Sequence, residues 1–178
     1  MLQKIDIVSE FPIASQTSDI DKAILLQLRD IVGERGSYKY LEIGSFLGGS
    51  LVPFLRDPKC LNVCSIDDRE RQQLDERGGK YDYKGTTNET MINSLKNANL
   101  DTKKLKIFDG SIHEIKGREH QYDLIFIDGE HTDIACFRDF IYCEKFFNEN
   151  CIVAFHDSTL IYKSLRIICE LLISRKTK

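Results

Sequence analysis

Short apolar segments alternate with longer segments of helical period along this 178-residue chain. Strands that alternate with helices in this way form a parallel sheet with helices on both faces. The last two apolar segments are almost uninterrupted, which is typical of strands buried on both faces, so we expect these two at the centre of the sheet. The five predicted strands are Tyr38–Ile43, Leu61–Ile66, Leu105–Phe108, Asp123–Ile127 and Cys151–Phe155.

Apolar residues at three- and four-residue spacing predict the helices that cover this sheet and the stripe that each one buries. Thr86 and Glu89 have the spacing of a capping box, which predicts a helix start just before Met91. The predicted stripes are Ile20, Ile24, Leu28 and Ile31 in the first helix, Ile134, Phe137, Ile141 and Cys143 in a later one, and Leu165, Ile168, Cys169 and Leu172 in the last.

A charged segment with few aliphatic residues follows the second predicted strand. It runs from Asp67 to Gly85 and carries two adjacent glycines, Gly78 and Gly79. We expect a long loop here. Loops of this length in compact domains are often functional lids, and a solvated excursion is the alternative.

Composition limits the classes of protein to which the chain can belong. Lys and Arg number 25 and Asp and Glu number 28, which gives a net charge of −3 and no long basic run for a nucleic acid. No apolar run reaches the roughly 20 residues that a membrane span needs. Six cysteines without a Cys-x-x-Cys pair favour reduced thiols, and we expect a single cytoplasmic domain over residues 1–178.

A glycine turn follows the first predicted strand and is the sharpest chemical signal in the sequence. Gly44, Gly48 and Gly49 allow the backbone to turn and to come close to a ligand. Asp67 ends the second strand, 23 residues after Gly44, where a carboxylate can accept hydrogen bonds from both hydroxyls of a ribose. Because Phe46 stands where the dinucleotide fingerprint has its second glycine, we expect a nucleoside ligand other than NAD.

These motifs resemble those of class I S-adenosylmethionine-dependent methyltransferases. The resemblance rests on Glu42-x-Gly44-x-x-x-Gly48-x-Ser50, on Asp67, on Asp128-Gly129-x-His131 and on His156-Asp157. The charged segment and the Thr86–Met91 stretch resemble, more narrowly, the small-molecule O-methyltransferases grouped with macrocin O-methyltransferase and cephalosporin hydroxylase. The fold implied is a Rossmann-like, doubly wound α/β sheet.

The resemblance also implies the residues that bind S-adenosylmethionine. Glu42, Gly44 and Ser45 line its methionine end, Asp67 holds the ribose and Asp68 flanks the adenine. The contact with the adenine amine stays open between two residues. The full set of cofactor-binding residues implied is Glu42, Gly44, Ser45, Gly48, Ser50, Asp67, Asp68, Asp109, Ser111 and Asp128.

Two acids and two histidines follow the fourth and fifth strands, whose ends lie at one edge of the sheet. One interpretation is a divalent cation, Mg²⁺ first, held by Asp128, Asp157 and His156 to lower the pKa of an acceptor hydroxyl. The other is metal-free, with His131 or His156 accepting the proton of the acceptor beside Asp128. In a third, Asp157 only caps the last helix and His156 only packs.

The methyltransferase fold normally has two further strands after the fifth, whereas the 23 residues after Phe155 have helical period. A shortened chain, a piece of a longer protein and a minimal domain all fit this pattern. We therefore expect Cys151–Phe155 to be an edge strand that either another chain, as in a homo-oligomer, or the terminal helix covers. The expected function is O-methylation of a sugar or natural-product hydroxyl. A non-catalytic nucleoside-binding module and a hydroxylase-associated relative are the alternatives.

Overall fold

Seven strands are present in the computed structural model, which describes residues 6–117 and 121–176. Five of them correspond to the predicted strands, with ends that differ by no more than two residues except at the start of the last one. The strands are β1 (Tyr38–Ile43), β2 (Cys60–Asp67), β3 (Gln72–Leu74), β4 (Lys80–Asp82), β5 (Leu105–Asp109), β6 (Tyr122–Ile127) and β7 (Phe147–Phe155).

Six α-helices connect or flank these strands. Several of them begin after an N-cap residue. One such residue is Ser18, whose side chain accepts a hydrogen bond from the backbone N–H of Asp21. The helices are α1 (Ile7–Glu10), α2 (Asp19–Glu34), α3 (Val52–Arg56), α4 (Asn88–Asn97), α5 (Asp133–Cys143) and α6 (Tyr162–Lys176).

The main sheet has five parallel strands in the order β5-β2-β1-β6-β7. The chain winds outward from β1 in one direction, returns, and winds outward in the other, which is the doubly wound arrangement predicted from the sequence. The strand predicted at Cys151–Phe155 is part of β7 and lies at an edge of the sheet. Its expected place at the centre is therefore wrong, and its expected place at an edge is confirmed.

Each face of the sheet carries its own core. On one face Tyr40 of β1 stacks on Phe54 of α3 with ring centroids 3.6 Å apart, beside buried residues of α2 and α4. On the other face Leu41 and Ile43 pack with α5 and α6. Alternate residues of β1 thus enter opposite cores, as the period of a strand requires.

The predicted helical stripes are partly wrong. Ile20, Ile24 and Ile31 are exposed on α2, whose core contacts come from Leu25, Leu26 and Val32, with Leu28 partly buried. Ile134 is exposed at the start of α5, and Cys169 and Leu172 are exposed on α6. The period was assigned correctly, but because each helix carries apolar residues on more than one side, the period alone does not select the side that meets the sheet.

The capping box of α4 lies one residue later than predicted. Thr87 is the N-cap residue, and its backbone N–H donates the reciprocal hydrogen bond to the side-chain oxygen of Thr90 rather than to Glu89. Met91 and Leu95 are buried, as the sequence indicated.

The charged segment between β2 and α4 is not a simple loop. Its middle is the antiparallel hairpin β3–β4, in which Asp75 is the organising residue. Asp75 accepts hydrogen bonds from the backbone of Arg77 and Gly79 and from the Arg77 guanidinium at 2.7 Å. The backbone N–H of Glu76 donates to the carbonyl of His131 at 3.0 Å, which ties the hairpin to the segment after β6.

The outer edge of β7 has no strand partner within the described residues. Such an edge offers unpaired N–H and C=O groups to a second copy. The homo-oligomer expected through residues 151–155 stays a prediction. We expect light scattering to give twice the 20.5 kDa mass of one chain. A monomer at concentrations well above those of the cell would contradict this expectation.

No helix in the described part of the chain has the length and apolar character needed to cross a membrane. All six cysteines are free thiols, and four of them, Cys60, Cys64, Cys136 and Cys143, are buried.

Candidate functional site

Backbone hydrogen bonds just beyond the strands connect the carboxyl ends of neighbouring parallel strands. The N–H of Gly44 donates to Ile66 at 2.9 Å, and the N–H of Asp128 donates to Ile43 at 2.9 Å. The N–H of His156 donates in the same way to the carbonyl of Ile127 at 3.0 Å. The residues that the sequence places after each strand therefore meet at one edge of the sheet, where the strand order reverses and ligands bind in this architecture.

Gly44 must be glycine because the backbone after β6 passes directly against it. Its φ is +83°, and a Cβ atom at this position would lie 2.0 Å from the carbonyl oxygen of Asp128. The glycine turn is thus required by the packing of two backbone segments. Gly48 has a similar φ of +84° and faces Met91 and Leu95 of α4, so it shapes the turn without lining a cavity.

Asp67 is joined to the glycine turn, as the spacing predicted. Its Oδ2 accepts a hydrogen bond from the N–H of Phe46 at 2.8 Å, and its side chain is 8% exposed. Phe46 has a left-handed φ of 46°, a conformation that few non-glycine residues adopt and that often marks a functional turn. The carboxylate of Asp67 thus helps to hold the turn in its strained form.

Two cavities lie side by side over the strand ends. The first measures about 240 Å³ and the second about 350 Å³. The first is lined by the glycine turn, the hairpin and the acid and histidine residues, and the second by the loops after β2, β5 and β6. Five residues line both of them: Gly44, Asp67, Asp68, Gln73 and Gly129.

Glu42 lies behind the wall of the first cavity and not in it. Its carboxyl is fully buried, with Oε2 accepting from the Tyr40 hydroxyl at 2.5 Å and Oε1 from the Ser50 hydroxyl. Burial raises the pKa of Glu42 to about 8, although these two hydrogen bonds oppose the shift. A cation brought close would favour its ionised form. Ser50, which bonds to Glu42, lines this cavity, whereas Glu42 does not. Direct contact between Glu42 and the methionine end of a cofactor therefore stays a prediction.

The residues predicted to surround adenine do not all line a cavity in the structure. Ser111 lines the second cavity, and its hydroxyl forms a 2.6 Å hydrogen bond with Nδ1 of His113. Asp109 lines neither cavity, and its carboxylate accepts a hydrogen bond from the Asn88 side chain at 3.0 Å. Of the two candidates left open by the sequence, Ser111 is therefore the better placed. Asp68 borders both cavities and pairs with Arg71 at 2.7 Å.

The two acids and two histidines predicted to converge do meet in the first cavity. Nε2 of His131 lies 3.2 Å from Asp128, and its Nδ1 lies 2.9 Å from Asp157. Nδ1 of His156 lies 2.9 Å from the same oxygen of Asp128, without the alignment of a hydrogen bond. Asp157 in this cluster has a left-handed φ of 47°, as Phe46 has in the glycine turn.

His156 carries a positive charge at neutral pH. Burial opposes that charge, but Asp128, Asp157 and Asp21 of α2 outweigh it and raise the pKa of His156 to about 9. Nε2 of His156 is 3.3 Å from Asp21. A protonated imidazole can neither accept a proton nor bind a metal. The predicted role of general base is therefore better carried by His131 than by His156.

This charge predicts a pH-dependent contribution to folding. Because the pKa of His156 is raised from 6.5 to about 9, its stabilising effect is complete below pH 6.5 and is lost as pH rises through about 9. We expect His156→Gln to cost about 2–3 kcal/mol of unfolding free energy near pH 6 and much less near pH 10. Urea unfolding in the presence of a chelator measures both values. A cost independent of pH would contradict the assignment.

The donor atoms of the cluster do not suit magnesium. The atoms that lie within 4.8 Å of one another belong to Asp128, His131 and His156, which is one carboxylate and two imidazoles. Magnesium prefers oxygen ligands, whereas imidazole suits zinc, iron, nickel and copper. The predicted set of Asp128, Asp157 and His156 is not the set that converges, and the protonated His156 further disfavours any cation.

Several residues of the site had no signal in the sequence. Ser15, Gln16 and Thr17 reach the first cavity from the segment before α2, and Gln16 accepts a hydrogen bond from the Tyr83 hydroxyl at 3.0 Å. Arg69 lies in the charged segment, whose side chains were expected to be solvated, yet its own side chain is 1% exposed.

Comparison with known proteins gives the same architecture. TomG of Streptomyces achromogenes, an O-methyltransferase involved in tomaymycin synthesis and solved with SAM, matches with TM-score 0.60 and 15% identity over 94% of this chain and 74% of that one. A Klebsiella pneumoniae protein provisionally identified as an O-methyltransferase matches with TM-score 0.57 and 14% identity over 86% and 66% of the two chains. At these identities the likeness shows the fold.

One curated relative shares detectable sequence. An uncharacterized protein of Acanthamoeba polyphaga mimivirus is 27% identical over 128 residues, which cover 70% of this chain. The chain spans 53% of the length of that relative. A family model described as a methyltransferase domain matches residues 41–158, from the glycine turn through the acid and histidine cluster. The chain therefore belongs to the family of methyltransferase domains.

Proposed function

We propose that this chain is an S-adenosylmethionine-dependent methyltransferase that methylates a hydroxyl group of a small molecule. One observation carries the proposal: Asp67 is bonded to the glycine turn and lines both cavities over the strand ends. A carboxylate at this junction suits the ribose of a ligand whose two ends extend in opposite directions. The family match supports the reaction type.

Residues of the two cavities fit the two ends of such a ligand. Gly44 borders the first cavity, and Ser45 and Ser50 offer hydroxyls there for a methionine end. Ser111 offers a hydroxyl in the second cavity for adenine. S-adenosylmethionine, when bound, supplies a methyl group on a positively charged sulfur. Holding an acceptor in line with that group is the main task left to the protein.

The first cavity supplies a group for the proton of the acceptor. A hydroxyl becomes a better nucleophile as its proton leaves, and His131 lies in this cavity with a carboxylate beside each ring nitrogen. For this step one ring nitrogen of His131 turns from its carboxylate to the acceptor hydroxyl and takes the proton, while the other N–H donates to the remaining carboxylate. This arrangement stabilises the imidazolium that forms and holds the ring in place.

Titration calorimetry with S-adenosylmethionine and S-adenosylhomocysteine tests the proposal. We expect the wild-type chain to bind both, and Asp67→Asn to weaken binding by about 30-fold because the charged acceptor for the ribose hydroxyls is lost. Asp101→Asn is the matched control, since Asp101 is exposed and only pairs with Lys103 at 3.6 Å. Its affinity should equal that of the wild type.

The same measurements separate the alternatives. Absence of binding by the folded wild-type chain would exclude the proposed reaction for this chain. Binding without methyl transfer to a panel of hexoses, deoxysugars and phenols would favour the non-catalytic nucleoside-binding module. The panel also searches for the acceptor, whose hydroxyl groups could bond to the serine, tyrosine and charged residues that line the first cavity.

We propose that the partners are small molecules and not nucleic acids or membranes. The net charge of −3 and the absence of a long basic run support this view. Six free thiols support a reducing compartment such as the cytoplasm.

A further inference from the structure

Arg69 is a buried cation at the centre of the site. Its Nη2 donates to the hydroxyls of Ser45 at 3.0 Å and Ser65 at 2.9 Å, and lies 3.1 Å from the sulfur of Met91. These partners belong to the glycine turn, to β2 and to α4. One side chain thus connects these three elements, and Asp67 is the last residue of one of them, β2.

The charge of this guanidinium is not matched by a close carboxylate. Asp67 is the nearest, with its Oδ2 3.8 Å from Nη2, and Nε of Arg69 is buried without a hydrogen-bond partner. An incompletely paired buried charge is costly unless it does something for its neighbours or for a ligand. Arg69 lines the first cavity, so its charge acts on whatever binds there.

Asp67 needs a positive charge nearby to stay ionised. Burial raises the pKa of Asp67, as does the charge of Asp109 on the adjacent strand β5, while Arg69 and the N–H of Phe46 lower it. Glu42 of β1 also lies close enough for its charge and that of Asp67 to disfavour each other. Among the groups that face Asp67, Arg69 supplies the positive charge.

We propose that Arg69 is a positioning residue for the cofactor, which keeps Asp67 ionised and fixes it beside the glycine turn through Ser45. This inference rests on the proposed function, in which Asp67 binds the ribose. An ionised carboxylate accepts hydrogen bonds at both oxygens, whereas a protonated one must give up one acceptor position for a donor. A ribose diol needs two acceptors, so protonation of Asp67 weakens binding.

The affinity for S-adenosylhomocysteine measured between about pH 5.5 and pH 8.5 tests this role. We expect Arg69→Met, which keeps the apolar volume beside Met91, to lose about 3-fold in affinity near pH 8 and about 30-fold near pH 6, as Asp67 takes up a proton. Arg69→Lys keeps the charge but not the fork of donors. It should show the pH dependence of the wild type with a uniform, few-fold loss.

A role limited to holding the elements together would give a different result. Arg69→Met would then weaken binding by the same factor at every pH, and this outcome would overturn the proposal. So would an Arg69→Lys variant that loses affinity at acid pH as steeply as Arg69→Met.

A second readout does not depend on the cofactor. The carboxyl carbon of Asp67 can be titrated by NMR without ligand, and we expect its pKa to be higher in Arg69→Met than in the wild type. An unchanged value overturns the proposal, as does a wild-type Asp67 that is protonated at neutral pH, even if Arg69→Met does not fold. A wild-type chain that binds no nucleoside while Asp67 responds to Arg69 would exclude the proposed function and leave the ion pair established.

Discussion

Replacing Gly44 by alanine is expected to destabilise the fold by more than about 4 kcal/mol, a large part of the stability of a typical domain. The new Cβ atom would lie 2.0 Å from the carbonyl oxygen of Asp128. Both atoms are attached directly to backbone that the paired strands β1 and β6 hold in place. Neither segment can move without breaking the hydrogen bond from Asp128 to Ile43. Urea unfolding measures the loss directly.

Gly85→Ala is the matched control for this prediction. Gly85 has the same φ of +83°, but no atom lies within 4 Å of the position of its Cβ. This variant carries only the cost of a left-handed alanine, about 1 kcal/mol. Equal losses at Gly44 and Gly85 would mean that the backbone angle accounts for the effect and that the close approach of the two backbone segments has no energetic weight.

Replacing His131 by glutamine is expected to lower kcat by a factor of about 10²–10⁴, the usual contribution of a positioned general base. Glutamine can keep a hydrogen bond to one of the two flanking carboxylates but cannot take up the acceptor proton at neutral pH. Binding of S-adenosylhomocysteine should change by no more than about twofold, because the predicted cofactor contacts come from other residues.

The rate of methyl transfer to the best acceptor of the panel checks this prediction. Lys103→Gln, which changes an exposed side chain on the connection to β5, should behave as the wild type. Wild-type kcat in His131→Gln would mean that the acceptor loses its proton elsewhere. Loss of nucleoside affinity in parallel with kcat would instead place His131 in the cofactor site.

Much of this architecture could be predicted from the sequence because its signals are local. Buried parallel strands need continuous apolar runs, and the turn after β1 needs a glycine at position 44, so both leave a visible pattern. The spacing from Gly44 to Asp67 is set by the glycine turn, the short helix α3 and strand β2. It therefore predicts a contact that the structure contains between Asp67 and Phe46.

Other features depend on contacts between distant segments and leave no such pattern. The buried side of α2 is set by the position of the sheet, so Leu25 and Leu26 are buried while Ile24, which is equally apolar, is exposed. The charge of His156 is favoured by Asp128 and Asp157 and also by Asp21, which lies 135 positions earlier in the chain. Arg69 resembles any other arginine of a charged loop until the glycine turn and α4 close around it.

The hairpin β3–β4 is hydrogen-bonded to the segment that carries His131, the proposed general base. The N–H of Glu76 is bonded to the carbonyl of His131, and the carboxylate of Glu76 accepts from the N–H of Asp133 at 2.6 Å, at the first turn of α5. If the hairpin moves away from the cavity, both bonds must break, and the segment from His131 to Asp133 loses two anchors. Any rearrangement of the hairpin is therefore expected to change the orientation of the His131 imidazole.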